Sequence, residues 1–266
     1  MNRKILLAGL GVLFLSMALY DGYDLYQRRL ESRAVEQTYE ALTQYVRLPD
    51  APIPTEHSAE NRLPEETGTT EPISEAVPDD PNWPVVDFES LQMINPDVVA
   101  WIFLEGTNIN YPVVQGEDNV YYLQYMFNGD QNSAGSIFLD YRNPGNWTGR
   151  NSVLYGHNMK NGTMFRHIIQ YKDQAFYDRH PTALLMTPEK NYRIEFVAGY
   201  VTHMNSDAWK LEFESDEEFS RWLENAMAQS TFSATVEAAP SDRVITLSTC
   251  SYEYRDARYV LIGILK

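Results

Sequence analysis

Cys250 is the single cysteine of the 266-residue chain, and a lone thiol can form no intramolecular disulfide. Its bland reading is a small buried hydrophobe. Its chemical reading is a nucleophile, which calls for a cation and an acid/base group nearby. Thr246-Leu-Ser-Thr-Cys250 ends an apolar run and Arg258-Tyr-Val-Leu-Ile-Gly263 opens the next, with seven residues between Cys250 and Arg258. If the two runs pair as an antiparallel hairpin, thiol and guanidinium share one rim of the sheet. A cation there favours the thiolate, the form that attacks.

Five histidines could supply the acid/base group. Val153-Leu-Tyr-Gly-His157-Asn places His157 just past a strand-like run, at a glycine, where a loop can project it over a sheet edge. His57 falls in a polar spacer, and His167 and His180 fall in or beside helical, polar stretches that suit solvated surface residues. His203 follows a strand-like run and is a secondary candidate. No pair has the His-x-x-x-His spacing of a metal site, and one cysteine is too few for structural zinc, so no metal or cofactor is expected.

The elements that must position these residues read as strands. Runs at 113–114, 134–139, 152–155, 192–201, 244–248 and 259–265 are β-branched or aromatic and bounded by Gly, Asn, Asp or Pro. Helical patterns interrupt them at 163–170 and 217–229, and two more open the domain, at 87–94 and as a turn over Asn95-Pro-Asp-Val-Val-Ala-Trp-Ile. Close strand spacing with few helices predicts a mainly β, closed or nearly closed barrel rather than alternating βαβ units.

Upstream, Arg3 and Lys4 precede sixteen uncharged residues, 5–20, before Asp21. This is an export signal, read over residues 1–23 as an uncleaved membrane anchor, with Ser16-Met17-Ala18 leaving cleavage as the alternative. The basic N-terminus keeps that end in the cytoplasm, predicting a single-pass protein with its catalytic domain outside. Residues 24–47 read as a juxtamembrane helix. Residues 48–84 hold eight prolines and nine acidic residues against Arg62, an extended, self-repelling spacer. The domain proper is 85–266, and a chain starting near Pro84 is expected to be soluble and active. With 44% hydrophobic and 13% aromatic residues, a packed core is expected. The balance of 21 basic against 37 acidic residues, net −16, disfavours a nucleic-acid partner.

The segments TLSTC, YGHN and RYVLIG, with Ala134-Gly-Ser-Ile-Phe-Leu-Asp140, resemble the signature pieces of the sortases, cysteine transpeptidases of Gram-positive bacteria, and their order of His, Cys, Arg matches. The helix-rich lead-in and the helix-containing insert before the Cys strand are similar to class B sortases. The resemblance implies a sortase-type closed β-barrel with N-terminal helices. It implies catalysis by His157, Cys250 and Arg258: Cys250 attacks a Thr carbonyl of a sorting motif, His157 acts as acid/base and Arg258 stabilises the oxyanion. The motif would be of Asn-Pro-x-Thr or Ser/Pro-Pro-x-Thr-Gly type, carried by surface-protein substrates, and the acceptor a peptidoglycan precursor or other cell-wall amine.

The resemblance also implies that Asn119, Leu123, Ser248 and Thr249 line the substrate groove. Helix capping for Asn119 and strand packing for the others are the structural alternatives. Within the spacer, Leu63-Pro-Glu-Glu-Thr-Gly68 is one residue longer than a Leu-Pro-x-Thr-Gly signal and is assigned to chance. Three other functions stay open: a hydrolysing cysteine protease, a pilin-polymerising sortase, and a non-catalytic, membrane-tethered peptide-binding barrel.

Overall fold

The computed structural model describes residues 3–48 and 83–266. His57, Leu63 to Gly68 and nearly all of the spacer lie outside them. Helix α1 (Arg3–Leu42) is continuous through the apolar run and on to Leu42, so the helix expected over 24–47 stops five residues early. Among the described residues no helix is long and apolar enough to cross a membrane.

The C-terminal half of α1 lies on the domain. Val35, Tyr39 and Leu42, spaced by one and two turns, bury one stripe in the main core. After a 3-10 turn, β1 (Val46–Arg47) pairs antiparallel with β2 (Val85–Val86), so the chain on either side of the spacer is hydrogen-bonded together. Asp87 then caps α2 (Phe88–Ile94) by accepting from Ser90 N at 3.0 Å.

Eight strands close the predicted barrel in the order β10-β8-β7-β3-β4-β5-β6-β9, with β9 and β10 paired. They are β3 (Val98–Phe103), β4 (Asn110–Val114), β5 (Ile137–Leu139), β6 (Asn151–Tyr155), β7 (Thr182–Met186), β8 (Asn191–His203), β9 (Val244–Cys250) and β10 (Ala257–Leu265). The β4–β5 and β6–β9 pairs are parallel and the rest antiparallel.

Two strands correct the reading from sequence. The stretch expected to continue as a helical turn after Asn95 is β3: its Val, Trp, Ile and Phe side chains suit a pleated surface. Asn95 Oδ1 accepts from Asp97 N at 2.9 Å and turns the chain out of α2. Strand β7, Thr-Ala-Leu-Leu-Met, carries no β signal beyond Thr182. It is extended because it fills the gap between β3 and β8 and satisfies both edges.

A 3-10 helix (Phe165–Lys172) and α3 (Gln174–Arg179) follow β6. Helix α4 (Asp216–Ala228), capped by Ser215, lies in the β8–β9 connection. It packs Phe219, Trp222 and Leu223 with Val197, Tyr200, Val260 and Ile262 in a second apolar layer outside the barrel. β9 and β10 are therefore covered on both faces, which stiffens the strands carrying Cys250 and Arg258.

Candidate active site

Cys250 is the last residue of β9 and Arg258 the second of β10, and the register makes them direct partners. Directly opposed residues of an antiparallel pair project to the same face, with Cβ atoms about 4.5–5.5 Å apart. Both side chains are half-buried. Arg258 Nη1 donates to Ala257 O at 3.0 Å, tying the guanidinium back to its own strand.

His157 reaches this rim because the chain after β6 keeps following β9. Gly156 N donates to Ser248 O (3.1 Å), Thr249 Oγ1 to Gly156 O (2.6 Å) and Asn158 Nδ2 to Cys250 O (2.8 Å). His157 is thus held between two residues that are each bonded to the strand of the thiol. Gly156 has to be glycine: a Cβ there would meet Ile137 Cδ1 at 2.4 Å and the Phe165 ring at 2.8 Å. The His157 ring is oriented from the other side, with Nε2 2.9 Å from the Leu123 carbonyl oxygen. A carbonyl only accepts, so Nε2 carries the proton and Nδ1 is the nitrogen left for exchange.

A groove of ≈ 760 Å³ runs over this rim, and all seven residues singled out from sequence line it: Asn119, Leu123, His157, Ser248, Thr249, Cys250 and Arg258. Asn119 is not the cap of its turn. Asp118 takes that role, accepting from Val120 N and Tyr121 N at 2.8 Å each, while Asn119 Oδ1 accepts from Tyr141 N at 3.1 Å. Ser248 and Thr249 are almost fully buried and hydrogen-bonded, Ser248 Oγ accepting from Trp209 Nε1 at 3.1 Å.

The other described histidines, His167, His180 and His203, do not line the groove. His203 is absent from the groove and its Nδ1 accepts from Asn205 N at 3.2 Å, capping the turn after β8. His167 and His180 are half-buried rather than solvated, and burial lowers the pKa of both. Among the described residues no group of His, Cys, Asp and Glu could hold a metal ion.

Sequence reasoning missed part of the groove wall, Arg142, Tyr155 and Trp209, and the buried Asp140 that holds the first two. Asp140, fully buried, is gripped by Arg142 in a two-pronged ion pair (Nε to Oδ1 2.9 Å, Nη2 to Oδ2 2.7 Å) and accepts from Tyr155 Oη at 2.9 Å. Burial opposes its charge, but these hydrogen bonds outweigh it and hold the carboxyl below its ordinary range. Burial, then the Asp140 charge, pushes the Tyr155 hydroxyl up. Asp140 closes the Ala134–Asp140 segment, so a signal existed for it; Arg142, two residues on, and Trp209, from the β8–α4 connection, had none.

A sortase domain family matches residues 102–266. Sortase B of Listeria monocytogenes is 38% identical over 179 residues, covering 66% of this chain and 73% of that protein. Sortase B of Staphylococcus aureus is 34% identical over 179 residues, covering 67% and 73%. Among solved structures, the Staphylococcus aureus sortase B–substrate complex superposes with a TM-score of 0.65 at 34% identity, covering 67% of this chain and 84% of that one. A sortase B in complex with triglycine does so at 0.64, also at 34% identity, with 67% and 85% covered.

Proposed function

The chain belongs to the sortase family of cysteine transpeptidases, and on that premise we propose that it cleaves a C-terminal sorting motif at Thr and passes the acyl group to a cell-wall peptide amine. The observation that carries the reading is the direct cross-strand pairing of Cys250 with Arg258, beside a histidine whose loop is bonded to the same strand.

Cys250 gives its thiol proton to His157 Nδ1, and the thiolate attacks the Thr carbonyl carbon, forming a C–S bond. Arg258 offers fixed donors where the oxyanion develops. As the tetrahedral adduct collapses, the C–N bond breaks and His157 gives a proton to the leaving amine, leaving a thioester. An incoming amine then attacks that thioester, His157 takes its proton, and collapse to the new amide breaks the C–S bond and frees the thiolate.

Asn119, Leu123, Ser248 and Thr249 line one groove together with Cys250. We assign it the sorting motif, of Asn-Pro-x-Thr or Ser/Pro-Pro-x-Thr-Gly type. The triglycine complex of the sortase B relative supports a peptide amine as acceptor. The basic N-terminus and apolar run of 5–20 support tethering to the outer face of the cell membrane.

Mass spectrometry of the protein with a panel of sorting peptides, with and without triglycine, tests this. A thioester on Cys250 that resolves to the triglycine amide is expected. A folded protein with a reactive thiol and no adduct from any peptide would favour a non-catalytic peptide-binding barrel.

A further inference from the structure

The buried stripe of α1 lies against the loop that orients His157. Tyr39 Oη donates to Gly135 O at 2.7 Å, and on the turns before it Asn132 Nδ2 donates to Glu31 O at 3.2 Å. Gly135, at φ +56°, is pressed against the other arm of that loop. A Cβ on it would meet Tyr122 O at 2.3 Å and both the carbonyl carbon and oxygen of Leu123 at 2.8 Å. That Leu123 oxygen is the one that accepts from His157 Nε2.

A second route leaves the same side chain. The Tyr39 ring packs edge-on against Tyr111, centroids 5.1 Å apart, and Tyr111 Oη accepts from Met164 N at 3.1 Å. Met164 bridges to Asn158, and Phe165 N donates to His157 O at 2.9 Å. Two short paths from one helical tyrosine therefore end on the backbone and the ring of His157.

We propose that the C-terminal half of α1 is a positioning element for His157, with Tyr39 as its contact, fixing the ring with its proton on Nε2. The inference rests on His157 being the proton carrier of the transfer reaction. Tyr39 does not line the groove and reaches His157 through Gly135, Leu123 and Tyr111, its hydroxyl lying also 3.3 Å from Ser136 Oγ. Burial pushes the Tyr39 hydroxyl well above its ordinary pKa, so it stays a neutral donor across the working pH range.

The test is ring ¹⁵N spectroscopy of the full-length protein labelled at histidine, for wild type, Tyr39→Phe and Tyr39→Ala. Tyr177→Phe is the matched control, deleting another hydroxyl that accepts from Thr235 N (3.2 Å) outside these contacts. Neutral wild-type His157 should show a single tautomer, protonated on Nε2. Tyr39→Phe should introduce the second tautomer and slow thioester formation about threefold to tenfold, Tyr39→Ala should do more of both, and Tyr177→Phe should do neither. A single tautomer and a wild-type rate in Tyr39→Phe would overturn the proposal, as would equal changes in Tyr177→Phe. Absence of thioester in the wild type would instead count against the transfer reaction, while the tautomer ratio still decides the bracing.

Discussion

Arg258 stands directly opposite Cys250 across the β9–β10 pair, on strands covered on both faces. The seven-residue connection between them can vary without changing this geometry, because the ladder from Val244 to Cys250 sets the register. The guanidinium is therefore placed by backbone hydrogen bonds rather than by a flexible loop.

Cys250→Ala should abolish thioester formation and change stability by less than about 1 kcal/mol, since the thiol is half-buried at a strand end. Arg258→Ala should lower kcat about 10²–10³-fold, and Arg258→Lys should recover part of it, as a point charge without the fork. A drop in melting temperature large enough to explain the lost turnover would make either residue structural.

Asp140 is fully buried and its partner Arg142 is 49% exposed, so Asp140→Asn should cost about 1–2 kcal/mol, less than breaking a fully buried pair. Because its folded pKa is depressed, its contribution is present in full above the unfolded value of about 4 and is lost as pH falls through the lower folded value. Denaturant titrations should show wild type and Asp140→Asn converging below about pH 4; parallel pH profiles would show that Asp140 is not the group responsible.

A chain beginning at Pro84 should melt about 5–10 °C below the full-length protein, because it uncovers the surface that Val35, Tyr39 and Leu42 bury. The reading of residues 24–47 as a juxtamembrane helix did not foresee that this helix buries a stripe in the main core. Equal melting temperatures would mean the helix contributes no net stability.

Trp209→Phe keeps the apolar wall of the groove but deletes the hydrogen bond to Ser248 Oγ. Sorting-peptide KM should rise about fivefold, the worth of one such bond, with the rate of Cys250 alkylation unchanged. A change in alkylation with no change in KM would place Trp209 at the thiol rather than at the peptide.

Which residues could do chemistry was legible in the sequence for a physical reason. A nucleophile, a cation and an acid/base group each sit at the edge of a β-branched or apolar run, and strand ends are local features. The hairpin of Cys250 and Arg258 follows from two adjacent runs with a short connection. Strand β7 was not legible, since Ala, Leu and Met prefer helices when isolated, and β3 was read as helical because its approach through Asn95-Pro96 looks like a helix start.

In the amino-acid sequence by itself, the period of neighbouring residues determined the mainly β barrel and residue types at strand ends the candidate trio, while the family was carried by the resemblance of TLSTC, YGHN and RYVLIG to sortase segments. Only the tertiary structure decided that Asp140, Arg142 and Tyr155 form one clamp, that Trp209 walls the groove, and that a helix ending at Leu42 reaches the loop of His157. Those contacts join residues up to 96 positions apart, and nothing in local propensity encodes such pairings: they exist because a closed barrel leaves few places to bury each remaining apolar stripe and buried polar atom.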